Sequence, residues 1–293
     1  MTASAPYDIS IIIVNYNTRD YLAACLDSLP RPVPPHLQII VVDNASQDDS
    51  LNMLSRRFQH VTVIANASNA GFAGANNQGI AIGQGRYLYF LNPDTEVRPG
   101  ALEAMRRYMD SHPEVGIAGT LLVNPDGSPQ PSVEYRYPGE KHARKSLAGL
   151  TGEIAWVLGA SMIARSDAIS AVSGFDDTFF LYGEEQDLCL RLRKSGWAIG
   201  YVPEAVVMHW GGKSERHHTP AHVWEKKFRA ELKFYHTHYP ARAIGRIRLE
   251  NVAQALWRIV TIRLTLPFCR DTSLLESKLE KYRTALKIFG GHP

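Results

Sequence analysis

Residues 9–29 read ISIIIVNYNTRDYLAACLDSL, and the fold reading starts from the order of residue types in this stretch. Ile9 to Val14 is a near-continuous β-branched run, the composition of a parallel strand covered on both faces. Tyr21, Leu22, Cys25, Leu26 and Leu29 then recur at helical spacing until PRPVPP (30–35) stops the helix. The succession repeats. LQIIVVDNAS (37–46) is a second such strand, and SLNMLSRRF (50–58) is a helix capped by Ser or Asp in SQDDS. VTVIAN (61–66) is a third strand, NQGIAIGQG (77–85) closes a helix with glycine, and YLYFLN (87–92) is a fourth strand. Strand–helix alternation from residue 9 to about 120 predicts a parallel α/β sheet with right-handed crossovers. NPDGSPQPSVEYRYPGEKHARKS (124–146) is the one long turn-rich stretch, read as an excursion because the strand-like AWVLGASMIA (155–164) follows it.

In an open parallel sheet, ligands bind beyond the carboxyl ends of the strands. Those ends are Asn15-Tyr16-Asn17, Asp43-Asn44-Ala45-Ser46, Asn66 and Asn92-Pro93-Asp94. Asn and Asp favour turns and caps, so one such end would carry no message. Four together predict a polar ligand there. The first strand-to-helix loop, NYNTRD, has neither GxGxxG nor GxxxxGK[ST], which disfavours dinucleotide and P-loop classes. It also lacks the glycine-rich basic loop of a nucleotidyltransferase.

A chain of 293 residues, 45% hydrophobic and 21% charged, is an ordinary globular composition. A net charge of +3 is too small for nucleic acid as the main partner. Cys25, Cys189 and Cys269 are far apart and lack metal spacing, so they read as reduced thiols. MTASAPYDIS has no basic leader segment, and no apolar run reaches the roughly 18 residues of a span. The expectation is a cytoplasmic, non-integral protein.

The segments SIIIVNYNTRDYLAACLDSL, IIVVDNAS, NAGFAGANNQG, YLYFLNPDTEV, GFDDTFFLYGEEQDLCLRLRKSGW and HWGGKS occur in the order seen in glycosyltransferase family 2. Over about residues 8–215 the chain resembles the bacterial rhamnosyltransferase-like members of that family. The resemblance implies a GT-A fold, a Rossmann-like, mostly parallel sheet with flanking helices, in a catalytic domain of residues 1–219. It implies a dTDP- or UDP-sugar donor carrying rhamnose or a similar sugar, Mg²⁺ or Mn²⁺, and inversion at the anomeric carbon. The implied acceptor is a hydroxyl of a glycan or a polyprenyl-diphosphate-linked sugar in cell-envelope polysaccharide synthesis.

Carried onto this chain, the family's DxD position falls on Asn92-Pro93-Asp94, so its first acid is an amide. Asp94 becomes the metal ligand, and Asn92 a contact to the ribose or to a metal-bound water. His209 matches the position supplying a second ligand. Asp43 matches the residue that reads the nucleotide base; the lesser alternative is the N-cap of the next helix. Asn15 and Asn17 line the first strand end, and Asn76 and the glycines of residues 69–79 match donor contacts. Gly159 and Ala160 resemble the small residues that admit the donor sugar. In YGEEQDLCLRLRKSGW (182–197), Asp187 and Arg191 stand at i and i+4 and predict a helix over about 184–195. The family's Glu-Asp-x-Asp aligns with Glu184-Glu185-Gln186-Asp187. The catalytic base then falls on Glu185, with Asp187 as the alternative. Arg191, Arg193 and Lys194 read as a solvated helix face with an option on an acceptor phosphate. Because Asn92 and Glu185 depart from the family pattern, a non-catalytic nucleotide-sugar-binding protein stays open beside the enzyme.

Residues 220–293 lie outside the resemblance and are expected to be a helical extension. Arg242, Arg246, Arg248, Arg258, Arg263 and Arg270 face one acid, Glu250, beside an apolar row of Leu249, Val252, Leu256, Ile259 and Val260. Two readings are open: a helix docked on the core or in a homodimer, and a basic amphipathic helix on the anionic inner face of the cell membrane.

Overall fold

The computed structural model describes residues 6–211, 219–268 and 272–291. Cys269, Arg270 and Gly212–Ser214 of the HWGGKS segment lie outside the described residues. The chain forms two compact units. The first comprises Met1–Tyr137, Leu150–Phe180 and Glu184–Ser214, and the second Pro138–Gly149, Leu181–Gly183 and Glu215–Pro293. The helical unit thus also takes in residues 138–149 and 181–183, well upstream of residue 220.

In the first unit, β1 (Tyr7–Asn15), α1 (Arg19–Asp27), β2 (Leu37–Asp43), α2 (Ser50–Arg57), β3 (Thr62–Ala65), α3 (Gly71–Ile82) and β4 (Gly85–Leu91) alternate as the residue pattern predicts. Then come β5 (Thr95–Val97), α4 (Ala101–Ser111), β6 (Val115–Val123), β7 (Val133–Glu134), β8 (Trp156–Val157), β9 (Ser161–Arg165), α5 (Ser166–Ala171), α6 (Glu184–Lys194) and β10 (Ala198–His209). Eight strands make one sheet in the order β3-β2-β1-β4-β9-β6-β10-β5. The alternation along β1 divides the core. Ile9, Ile11 and Ile13 pack with Leu22, Leu26 and Met105 on one face. Ile12 packs with Ala73, Leu88 and Leu188 on the other. A strand buried on both faces has no solvent-facing positions, which is why it reads as a continuous apolar run.

The sheet is mostly parallel, as expected, with two antiparallel strands. β9 runs antiparallel between β4 and β6, and β5 runs antiparallel beside β10. The run AWVLGASMIA is broken at Leu158–Ala160 into β8, which pairs with β7, and β9, which enters the main sheet. Because β4 and β6 are each antiparallel to β9, and β10 is parallel to β6, the carboxyl ends of β1, β2, β4 and β10 share one edge. Cys25 and Cys189 are free and buried, and burial pushes each thiol up to about 12.

The second unit holds α7 (Pro220–His238), α8 (Ala241–Thr265), α9 (Ser273–Gly290) and the short turns of residues 140–147. On α8, Ile244, Ile247, Ala255 and Ile262 are buried, whereas Leu249, Leu256 and Val260 are exposed. The apolar residues therefore lie on two faces, where a single row was expected. Arg248 is tied inward, donating to the carbonyls of Phe289 and Gly291 at the end of α9. No helix among the described residues is long and apolar enough to cross a membrane.

Candidate functional site

At the β1–β2 end of the carboxyl edge, polar groups satisfy one another. Asn15 donates through Nδ2 to Asp43 Oδ2 at 2.8 Å and to Ser46 Oγ at 3.0 Å, and Thr18 donates to Asn15 Oδ1 at 2.7 Å. The Ser46 amide donates to Asp43 Oδ1 at 2.9 Å. Asp43 is 0% exposed. Both its oxygens are thus engaged in holding the β2 turn, and the helix-cap alternative falls away because the N-cap of α2 is Asp49. Asn17 is exposed, with φ 53°, and accepts from the Gln47 amide at 2.7 Å. Ala45 is also left-handed, at φ 67°, a conformation costing a residue with a Cβ about 1–2 kcal/mol. Asn44 extends the network, accepting from Asn66 and from the Ala70 amide and donating to Asn69 and the Gly71 carbonyl.

The β4–β10 end is built differently. Antiparallel pairing sets His209 of β10 opposite Thr95 of β5, and the Trp210 amide donates to the Asp94 carbonyl at 2.9 Å. His209 Nε2 consequently lies 3.5 Å from Asp94 Oδ1, and both side chains are buried. Gln130 decides which ring nitrogen carries the proton. Its Nε2 donates to the His209 carbonyl and to Asn124 Oδ1, both at 2.7 Å, so its Oε1 is the atom left to face His209 Nδ1, at 3.0 Å. A carbonyl oxygen requires Nδ1–H, which leaves the Nε2 lone pair toward the Asp94 carboxylate. A hard carboxylate oxygen and an imidazole nitrogen form a donor set able to hold Mg²⁺ or Mn²⁺, with a ligand's phosphates supplying further oxygens. No group of three or more His, Cys, Asp or Glu among the described residues could hold a metal. Asn92 is half-buried beside this pair, and its backbone is pinned by its amide donating to the Ala160 carbonyl at 2.9 Å.

The first turn of α6 presents three buried acids with three different surroundings. Asp187 Oδ2 accepts from Arg191 Nε at 2.7 Å, with Nη2 also at 2.7 Å, while Arg191 Nη1 donates to the carbonyls of Val172 and Gly174. Asp187 is thereby committed to fastening α6 to the preceding loop. Glu184 is 5% exposed and its Oε2 has no hydrogen-bond partner. Burial, and then the charge of Glu185, hold its carboxyl well above the ordinary range. Glu185 is 8% exposed, and a Cβ built at Gly159 would lie 3.9 Å from its Cβ. The same Cβ would lie 3.8 Å from Phe72, an ordinary contact, so no protein atom demands glycine at 159.

Several sequence expectations change. Arg193 is buried, donates to the carbonyls of Thr151 and Gly152 and lies over the Tyr137 ring; with Arg191 also engaged, these two are no solvated face. Asn76 is turned inward, and its amide donates to the Phe72 carbonyl at 2.9 Å within α3. The glycines of residues 69–79 admit protein atoms. A Cβ at Gly71, φ 75°, would meet the Phe180 carbonyl at 2.6 Å, and one at Gly79 would meet Ile12 at 2.5 Å. Gln130 was missed altogether. It lies in the turn-rich stretch and reaches His209 only because Pro129 bridges back to Val123.

The model of the family described as glycosyl transferase family 2 matches residues 10–169. The chain is 27% identical to an N-acetylglucosaminyl-diphospho-decaprenol L-rhamnosyltransferase of Mycobacterium tuberculosis, over 73% of this chain and 80% of that protein. It is also 27% identical to rhamnosyltransferase WbbL of Escherichia coli K12, over 77% of this chain and 90% of that protein. Among solved structures, a mannosyltransferase of Pyrobaculum calidifontis in complex with GDP-Man and Mn²⁺ superposes with a TM-score of 0.60 at 15% identity, covering 98% of this chain and 85% of the other. That structure supports a GT-A fold, and with residues 10–169 of 293 matched by the family model, the chain is a glycosyltransferase and belongs to glycosyl transferase family 2.

Proposed function

We propose that this protein is an inverting, metal-dependent transferase that moves rhamnose or a similar sugar from a dTDP- or UDP-sugar to a hydroxyl of a polyprenyl-diphosphate-linked glycan. The observation that carries the reading is the contact of Asp94 with His209, with the ring tautomer set by Gln130. Asp94 and His209 would hold Mg²⁺ or Mn²⁺, which when bound neutralises charge on the donor diphosphate as the sugar leaves. Asn92 orients the donor from beside that pair. Asn15, Asn17 and Asp43 shape the floor on which the nucleotide lies, with any base contact made through lone pairs of Asp43 that Asn15 and Ser46 leave over.

Glu185 removes the acceptor hydroxyl proton as the oxygen attacks C1 opposite the diphosphate; the new C1–O bond forms as the bond to the diphosphate breaks. Asp187 is the weaker candidate because Arg191 engages it.

The acceptor class rests on the decaprenol named for the Mycobacterium tuberculosis relative. The exposed Leu249, Leu256, Trp257, Val260 and Leu264 of α8, with Arg258 and Arg263 beside them, suit an anionic bilayer surface. The test is transfer itself. The full chain is incubated with Mn²⁺, each of a panel of sugar nucleotides, and a polyprenyl-diphosphate-linked N-acetylglucosamine, and lipid product is measured. Acceptor-dependent release of nucleotide is expected. Donor binding with no product for any donor would contradict the reading and leave a binding protein.

A further inference from the structure

A cavity of about 370 Å³ lies wholly within the helical unit, between the turns of residues 141–146 and the start of α8. Its charged lining is of one sign: Lys141, His142, Arg144, Lys145, Arg242 and Arg246. Glu250 answers only the first two, pairing with Lys141 and lying 2.7 Å from His142 Nε2. Arg144, Lys145, Arg242 and Arg246 have no acidic partner among the described residues. The walls are fixed in place. Tyr239 donates to the Pro138 carbonyl at 2.8 Å, and Gly139, φ 66°, packs so tightly that a Cβ would meet Ile247 at 2.6 Å.

Local physics argues against this arrangement as mere surface. The positive end of a helix dipole favours acids, yet the first turns of α8 carry Arg242 and Arg246, without a side-chain cap. Four unpaired cations around one concavity repel one another. A local rule broken at a rigid site, without compensation from the protein, marks a place where a ligand supplies the missing charge.

The helix also indicates what bears that charge. Positions 242, 246, 249, 253, 256, 260 and 264 follow one another at spacings of three and four, so they lie along one line of α8. Arg242 and Arg246 head the line; Leu249, Leu256, Val260 and Leu264 continue it, all exposed. At 1.5 Å per residue, the apolar part runs for about 22 Å. A compact polyanion attached to a hydrocarbon chain matches this order of surfaces.

We propose that this pocket binds the diphosphate group of a lipid-borne acceptor, an inference that rests on the transferase reading above for the acceptor's class. Arg forks and lysine ammonium groups suit phosphoryl oxygens. A concave site of this size does not suit an extended nucleic acid.

The experiment uses the full chain with EDTA, so that no divalent metal links diphosphate to Asp94 and His209. Inorganic diphosphate is titrated calorimetrically into the native chain, Arg242→Glu/Arg246→Glu, and Arg144→Ala/Lys145→Ala. Each pair of changes, made on separate wall segments, should weaken binding at least about tenfold. Mn²⁺-dependent nucleotide binding, measured separately, should stay native and reports that the variants are folded. The native chain should also bind neutral phosphatidylcholine vesicles containing a polyprenyl diphosphate at least about tenfold more tightly than charge-matched vesicles containing phosphatidylglycerol. Native diphosphate affinity in both folded variants, or equal binding to both vesicles, overturns the proposal. Sugar transfer without diphosphate binding would remove the pocket and keep the transferase; diphosphate binding without transfer would do the reverse.

Discussion

At the β1–β2 end of the carboxyl edge, Asn15, Asp43 and Ser46 satisfy one another; at the β4–β10 end, Asp94 and His209 turn an oxygen and a ring nitrogen toward each other at 3.5 Å. Both ends are polar and each holds a buried aspartate. The difference lies in the donor atoms each presents. In the first, the carboxylate oxygens accept from Asn15 and Ser46 and hold the β2 turn, whereas the second sets a carboxylate oxygen and a ring nitrogen close enough to share a divalent cation. The same contrast recurs within one turn of α6, where Asp187 is held by Arg191 while Glu184 and Glu185 crowd each other.

The sharpest way to break the comparison is to exchange the roles of the α6 acids. Glu185→Gln should lower transfer by roughly 10²–10⁴-fold while donor affinity survives. Asp187→Asn should instead lower stability by about 2–3 kcal/mol. That is less than a fully buried pair would lose, since the Arg191 side chain is 24% exposed. Steady-state transfer and urea unfolding of both variants separate these outcomes. Near-native transfer in Glu185→Gln with loss in Asp187→Asn would move the base to Asp187.

Removing the residue that orients His209 sharpens the comparison further. Gln130→Leu should weaken Mn²⁺ binding in the presence of nucleotide by about 10–100-fold, the usual effect of losing a hydrogen bond that orients a ligand. Its stability should change little by comparison. Asp43→Ala should cost stability first. It removes the acceptor of one Asn15 Nδ2 hydrogen and of the Ser46 N–H, at a cost of about 2–4 kcal/mol in urea unfolding.

The smallest expected effect is a slope. The folded Glu184 carboxyl is raised above its ordinary 4.5, so between that value and its folded pKa the native state holds a proton that the unfolded chain has lost. Native stability therefore falls as pH rises through this window, by at most about 1.4 kcal/mol per pH unit. Glu184→Gln should remove the slope, so its gain over the native chain should grow from pH 5 to pH 8. A gain that stays flat across those unfolding curves would mean that Glu184 carries no bound proton.

The strands and the edge they share were legible because β-branched runs and helical spacing are local signals. Asp94 and His209 could be named from motifs, and their meeting follows from the pairing of β5 with β10, which no local pattern announces. Gln130 had no signal, since its partner is distant in sequence and its own surroundings read only as turns. The three acids of α6 were visible as a cluster. Their division into one carboxyl paired with Arg191 and two that crowd each other depends on burial and on the reach of Arg191, neither of which composition records. Glycine likewise reports a close approach but not by what: at Gly71 and Gly79 it is Phe180 and Ile12 that come near.

The account rests most heavily on Asp94 and His209 acting together on a divalent cation. The direct measurement is the electron paramagnetic resonance signal of free Mn²⁺ during titration of the native chain, Asp94→Ala and His209→Ala, with and without UDP or dTDP. The native chain should remove Mn²⁺ from solution strongly only when nucleotide is present, and each variant should lose that nucleotide-dependent uptake while keeping its cooperative unfolding transition. Native uptake in either folded variant would contradict the assignment.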